Sequence, residues 1–323
     1  MTLTVWAPDG APEIGAGDDL AAVFLGLVAP GDLADGDVVV VTSKVVAKAE
    51  GRVREDGRDQ ATADETVRVV ARRGPTTIVR TRHGLTLAAA GVDASNVAQG
   101  LVVLLPIDPD ASARVLRRRL HELTGRVLGV VVTDTAGRAW REGQTDIAIG
   151  AAGLRVVESF AGQADSHGNP LAVTAPAVAD EIAAASELAQ GKLAGRPFAV
   201  VRGRSDLVLP FDDDGPGAAA LVRGEETDFF GYGAREAVLR ALTGDPADAR
   251  AFGAPAGVEE LAEVLEALVR IRPTREGDAL VLATDDPYAT WVAGVAAYAH
   301  GWQVEAAAPG SVRARIRPSR PVP

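Results

Sequence analysis

The chain has 323 residues, 47% hydrophobic and 24% charged, which is the composition of a globular protein with a large core and room for a second, smaller unit. A formal net charge of −11 argues against generic binding to nucleic acid or anionic membrane surfaces, and the absence of cysteine excludes disulfides, thiolate zinc sites and thiol nucleophiles. No secretory-type leader opens the chain and no run of about 18 apolar residues occurs, so the expected location is the cytoplasm.

Apolar periodicity predicts a helix over 18–28 and a buried strand over 37–42, Asp-Val-Val-Val-Val-Thr. A helix is expected over 59–73 and a strand over 101–105. Asp108-Pro-Asp is an N-terminal signal for a helix at 111–124. Strands follow at 127–133 and 154–158, then a helix at 176–193 and a strand at 198–202. In the 176–193 helix, Val178, Ile182, Ala185 and Ala189 take core spacing, leaving Glu181 and Glu187 for solvent. Asp212 to Gly217 reads as a turn-rich surface loop and 233–242 as a helix. Thr243-Gly-Asp-Pro-Ala-Asp marks a boundary between a main domain, 1–244, and a small α/β domain, 245–323. In the latter, helices are expected at 257–269 and 287–299 and strands at 279–283 and 302–307. The basic, Pro-rich tail from Arg313 to Pro323 reads as disordered. Strands and helices alternate only loosely, and neither a dinucleotide fingerprint nor a Walker loop is present. The expected class is therefore α+β, with mixed sheets flanked by helices, and not a Rossmann fold.

Three segments carry chemistry-bearing residues. In Thr42-Ser43-Lys44-Val-Val-Ala-Lys48 the two lysines share a face, suited either to a polyphosphate or to plain solvation. Gly91-Val-Asp93-Ala-Ser95-Asn96 supplies hard oxygen ligands, or else an Asx turn. In the third, an apolar strand ends in Asp134-Thr135, and Gly137, Arg138, Trp140, Arg141 and Gln144 follow. Oxygens beside guanidinium groups suit a metal-bound, phosphate-bearing ligand. The alternative is a polar hairpin whose arginines pair with Glu142 and Asp146. The histidines His83, His121, His167 and His300 have no metal-ligand spacing, and His167 sits in a turn, Asp165-Ser-His-Gly-Asn169. Mg²⁺ or Mn²⁺ on oxygen ligands is the expected chemistry.

Taken in order, these segments resemble the coenzyme F420-0:L-glutamate ligases, the γ-glutamyl ligases of F420 biosynthesis. The resemblance rests on Pro12-Glu-Ile…Gly17-Asp-Asp-Leu, on Gly36 to Arg52, and on Gly91 to Val97. It continues in Thr133-Asp-Thr…Gly-Arg-Ala-Trp-Arg…Gly-Gln-Thr-Asp-Ile-Ala-Ile-Gly150 and in Asp180-Glu-Ile-Ala…Gly-Lys192. It implies a GTP- and metal-dependent amide ligase acting on F420-0 and L-glutamate, homodimeric, with Mg²⁺ or Mn²⁺ in pairs and K⁺ as a further candidate ion. Asp93, Asp134 and Thr135 would be metal ligands. Ala11, Pro12, Glu13, Ile14, Ser43, Lys48 and Asn96 would contact the nucleotide, and Gln190-Gly191-Lys192 would close its site. At a position where the family can carry a metal-binding glutamine, this chain has Lys192, with Gln190 two residues away. On chemistry alone, Lys44, Arg138 and Arg141 are added as anion binders, with Asp134, Arg138 and Arg141 as the catalytic set. Some bacterial members append a flavin-binding nitroreductase-like domain, for which 245–323 is too short, so no FMN is expected. The rival readings are an amide ligase with another carboxylate acceptor, or a non-catalytic nucleotide-binding scaffold.

Overall fold

The computed structural model describes residues 2–29, 31–224, 227–228, 230–305 and 313–318. Contacts divide the chain into two compact units, 1–222 and 223–323. The first begins with β1 (Thr4–Trp6), α1 (Leu20–Leu25), β2 (Val38–Thr42), α2 (Ser43–Ala49), β3 (Val53–Arg54) and α3 (Arg58–Glu65). Next come β4 (Thr66–Arg73), β5 (Thr76–Thr81), β6 (Thr86–Ala88), β7 (Val102–Val103) and α4 (Pro109–Thr124). The unit continues with β8 (Gly129–Arg138), β9 (Arg141–Ala152), β10 (Gln163–Ala164), β11 (Pro170–Leu171), α5 (Val178–Gln190) and β12 (Phe198–Arg202).

The central sheet has the order β1-β12-β2-β8-β9, with β2 and β8 parallel and the other neighbours antiparallel. Its middle strand is a run of valines because both of its faces are covered. Val39, Val41, Val130 and Val132 face α4 and Phe24, packing with Leu116 and Leu120. Val38, Val40 and Val131 face α5, packing with Val178 and Ile182. Each such side chain contributes roughly 1.5–3 kcal/mol by leaving water, so the sheet is a rigid platform. Helix α4 starts where its cap predicts: Asp108 Oδ1 accepts the Ala111 N–H at 2.9 Å. A smaller sheet, β4-β5-β6, lies apart from the central one. Ala61 of α3 packs with Val79 of β5 and with Ala90, Val92, Val102 and Leu104 in a separate core.

The architecture is mixed α+β, as expected, and three local expectations change. The helix predicted over 59–73 stops at Glu65, and Thr66–Arg73 is strand β4, where β-branched residues find a partner in β5. Residues 154–158 form no strand; only Leu154 makes a bridge, to Val208. The strand predicted over 127–133 runs on to Arg138 and turns into β9, so the polar segment is a hairpin.

The second unit holds α6 (Ala234–Thr243), α7 (Val258–Val269), β13 (Thr274–Glu276), β14 (Ala279–Ala283), α8 (Pro287–Ala299), β15 (Trp302–Val304) and β16 (Arg313–Pro318). Its sheet, β13-β14-β16-β15, is antiparallel throughout. Leu261, Leu265, Leu280, Trp302 and Ile316 form its core. The start of the tail is therefore not disordered: Ala314 and Ile316 are buried as β16 pairs with β14. Residues 319–323 of the tail, and 306–307 of the predicted strand, lie outside the described residues.

Candidate functional site

At the C-terminal ends of β2 and β8 the first unit opens into a cleft of about 680 Å³. Its lining includes Ala11, Pro12, Glu13 and Ile14 from the segment before α1, and Lys44 and Lys48 from α2. Asp93 and Asn96, Asp134 and Thr135, and Gln190, Gly191 and Lys192 complete the set. Five sequence segments that are far apart in the chain thus meet in one place. Gln144 also lines the cleft, from β9.

Strand β8 organises the centre. Successive residues of a strand point to opposite faces, so Asp134 and Thr135 look to opposite sides of the sheet. On the first side, Ser43, buried at the start of α2, donates its hydroxyl to Asp134 Oδ1 at 2.9 Å. The Lys44 ammonium lies 2.7 Å from Asp93 Oδ2 and 2.6 Å from Ser95 Oγ. Asp93 is held by paired backbone bonds to Val103, and its Oδ1 accepts the Ser95 N–H at 2.7 Å. The Asx turn that the sequence offered as an alternative is therefore present, and it presents its carboxylate to the cleft. Gly91 precedes it with φ +73°, where a Cβ would meet Leu105 at 2.8 Å.

On the second side, Thr133 and Thr135 donate to the two carboxylate oxygens of Asp146, at 3.2 and 2.7 Å. Asp146 is only 6% exposed. Lys192, just past α5, donates to Thr135 Oγ1 at 2.7 Å and to Asp146 Oδ1 at 3.2 Å, and also pairs with Glu187. Glu187, expected in solvent, turns inward and also accepts the Asp146 N–H at 3.2 Å.

Electrostatics separate the carboxyls. Burial pushes Asp134 up to about 7, with the charges of Asp146 and Asp93 adding to the effect and the Ser43 hydrogen bond opposing it. Burial also resists ionisation of Asp93, but Lys44 and the Ser95 bonds outweigh it and hold that carboxyl low. Burial disfavours the Lys192 charge, yet Glu187 and Asp146 outweigh it and raise its affinity for the proton.

Lys48 is 7% exposed and pairs with Glu13, whose side chain is 82% exposed. Arg138 and Arg141 are exposed near the hairpin tip and do not line the cleft. Arg138 donates to the backbone oxygen of Glu142 at 3.1 Å, and Asp146 pairs with Lys192, so among the described residues the arginine–Asp146 pairing of the plain hairpin reading does not form. His167 is exposed in a turn organised by Asp165, as a plain surface histidine would be.

Sequence reasoning passed over Asp146 and Glu187 as site residues, whereas Ser95 was already among the oxygen ligands it singled out. The cross-strand register that sets Asp146 opposite Thr135 would have found the first. Among the described residues, no group of three or more His, Cys, Asp or Glu side chains is gathered to hold a metal ion. What the cleft does offer is a mixed oxygen set around Asp134, a carboxylate that no Lys or Arg pairs with among the described residues. A buried carboxylate crowded by two others is where a hard cation fits.

The family described as F420-0:Gamma-glutamyl ligase matches residues 10–63 and 57–203. The chain belongs to this family. It is 36% identical to the coenzyme F420:L-glutamate ligase of Methanothermobacter thermautotrophicus over 253 residues, 71% of this chain and 99% of the relative. The enzyme of the same name from Archaeoglobus fulgidus is 40% identical over 226 residues, 63% of this chain and 88% of the relative. That of Haloarcula marismortui is 37% identical over 262 residues, 72% and 98%. Membership makes the chain an amide-forming ligase. No described helix is long and apolar enough to cross a membrane.

Proposed function

We propose that this chain adds L-glutamate to coenzyme F420-0 with GTP and a divalent cation, Mg²⁺ or Mn²⁺, and then extends a γ-linked glutamyl tail. The observation that carries the reading is the meeting of five family motifs in one cleft around an uncompensated Asp134. The ligase-type fold, the homodimer, a cytoplasmic location and K⁺ as an accessory ion belong to the same proposal.

A carboxylate cannot expel oxide, so it must first gain a leaving group. The γ-phosphoryl group of GTP passes to the F420-0 carboxylate, breaking the bond to the β–γ bridging oxygen and releasing GDP. The glutamate nitrogen then attacks the acyl carbon and loses a proton, and inorganic phosphate leaves as the amide forms. Positioning and charge neutralisation do most of the work in such transfers. Ser43, Asp93 and Asp134 would hold the cation, which supplies neutralisation of the phosphate charge. Lys48 exchanges its exposed Glu13 partner for a phosphate, and Lys44 moves from Asp93 toward the transferred group. Ala11 to Ile14, Asn96 and Gln190-Gly191 wall the nucleotide. No covalent protein intermediate is needed, in keeping with a chain that has no cysteine.

The test is incubation with F420-0, GTP, L-glutamate and Mn²⁺, followed by mass analysis. The expected result is F420 bearing added glutamyl units, with GDP and phosphate in equal amounts. GTP turnover with a different carboxylate acceptor, and none with F420-0, would overturn the substrate assignment.

A further inference from the structure

The two sides of β8 are not equivalent. On the Asp134 side the buried carboxylate has a hydroxyl donor and no cationic partner among the described residues. On the Thr135 side the cationic place is taken. The Lys192 ammonium has three N–H donors, and three acceptors meet it: Thr135 Oγ1, Asp146 Oδ1 and Glu187 Oε1. The Thr135 hydroxyl hydrogen is itself spent on Asp146. Asp146 is buried and fixed by two threonines and the Glu187 contact. Three fixed oxygens therefore hold one positive charge at the cleft surface, the Lys192 side chain being 56% exposed.

We propose that Lys192 is a tethered cation standing where a second divalent ion would bind Thr135, so that this chain takes one divalent ion, at Asp134. The inference rests on the metal-dependent reading above. A dication placed against Thr135 and Asp146 would lie beside the ammonium, and like charges at that distance repel strongly in a partly buried site. One cation on the chain, of single charge, stands in place of one drawn from solution. Metal dependence then follows a single binding step.

The experiment counts Mn²⁺ bound to the purified full chain, with the metal alone as probe, from the electron paramagnetic resonance signal of free Mn²⁺. The expected stoichiometry is one per chain for the native protein and for Lys192→Arg, which keeps the charge. For Lys192→Gln, which removes it and adds an oxygen ligand, two per chain are expected. Two ions in the native protein would overturn the inference, because the lysine would then be moving aside. One ion in all three proteins would overturn it too, because the Thr135 side would never accept a metal. No bound ion in any of them would overturn the metal reading itself, and the inference with it. Circular dichroism of Lys192→Gln guards the comparison against misfolding.

Discussion

Two cations of the first unit show opposite uses of buried positive charge. Arg117 on α4 is 2% exposed, and its guanidinium donates to the backbone oxygens of Leu128, Leu209, Pro210, Phe211 and Asp213 and to Asp214. Lys48 in the cleft is nearly as buried, but it pairs with an exposed carboxylate, Glu13. Carbonyl oxygens of a folded loop cannot leave, so Arg117 is a permanent fastener of 209–214. A solvent-exposed glutamate can leave, so Lys48 is available for exchange. The partners, more than the burial, separate a structural cation from a binding one.

Replacing Arg117 by Met should have the largest effect. Five backbone acceptors lose their donor, and at about 1 kcal/mol or more each the loss is on the order of 5 kcal/mol, read from urea unfolding. A loss under about 1 kcal/mol would show that the loop does not depend on the guanidinium. Asp134→Asn should invert that pattern, lowering turnover by roughly 10³-fold, or about 4 kcal/mol, with the fold retained. Near-normal turnover would remove Asp134 from the site.

The same variant has a pH signature. The Asp134 carboxyl titrates near 7 in the folded chain, against 3.8 for its ordinary value. The folded state therefore holds its proton longer, and this group's contribution to stability is full below about 3.8 and lost as pH rises toward 7. Relative to the native protein, Asp134→Asn should gain stability as pH rises from about 4 to about 7, by up to about 4 kcal/mol. A constant difference between the two proteins across that range would contradict the shift.

Lys48→Ala should weaken GTP binding about tenfold, close to 1.4 kcal/mol, by calorimetry. Unchanged affinity would make the Glu13 pair purely structural. Smallest of all, Arg138→Ala and Arg141→Ala should change stability by less than about 0.5 kcal/mol and turnover by less than about threefold, since both side chains are exposed and off the cleft. A large loss in either would place the hairpin tip over the bound substrates.

The central sheet and most helices were legible because valine runs, the Asp108 cap and α5 periodicity all state one structure. Misreadings came where composition outweighed pattern. The tail segment Arg-Ala-Arg-Ile-Arg alternates as a strand should, but its charge and prolines suggested disorder. The 59–73 segment begins as a helix and carries no stop signal at Glu65. Only the availability of β5 as a partner decides in favour of β4. In the site, residues with obvious chemistry were legible from motif order. Asp146 and Glu187 were not, because their roles arise from hairpin register and from which way a helix end faces.

The pleat of β8 governs what a substitution can reach. Asp134 and Thr135 are neighbours in sequence but serve separate compartments, each completed by its own helix: α2 for one, the end of α5 for the other. A single substitution can therefore change the side-chain partners of one compartment without touching those of the other, while the charge of Asp146 still reaches Asp134. The halves are separate in contact but joined in charge.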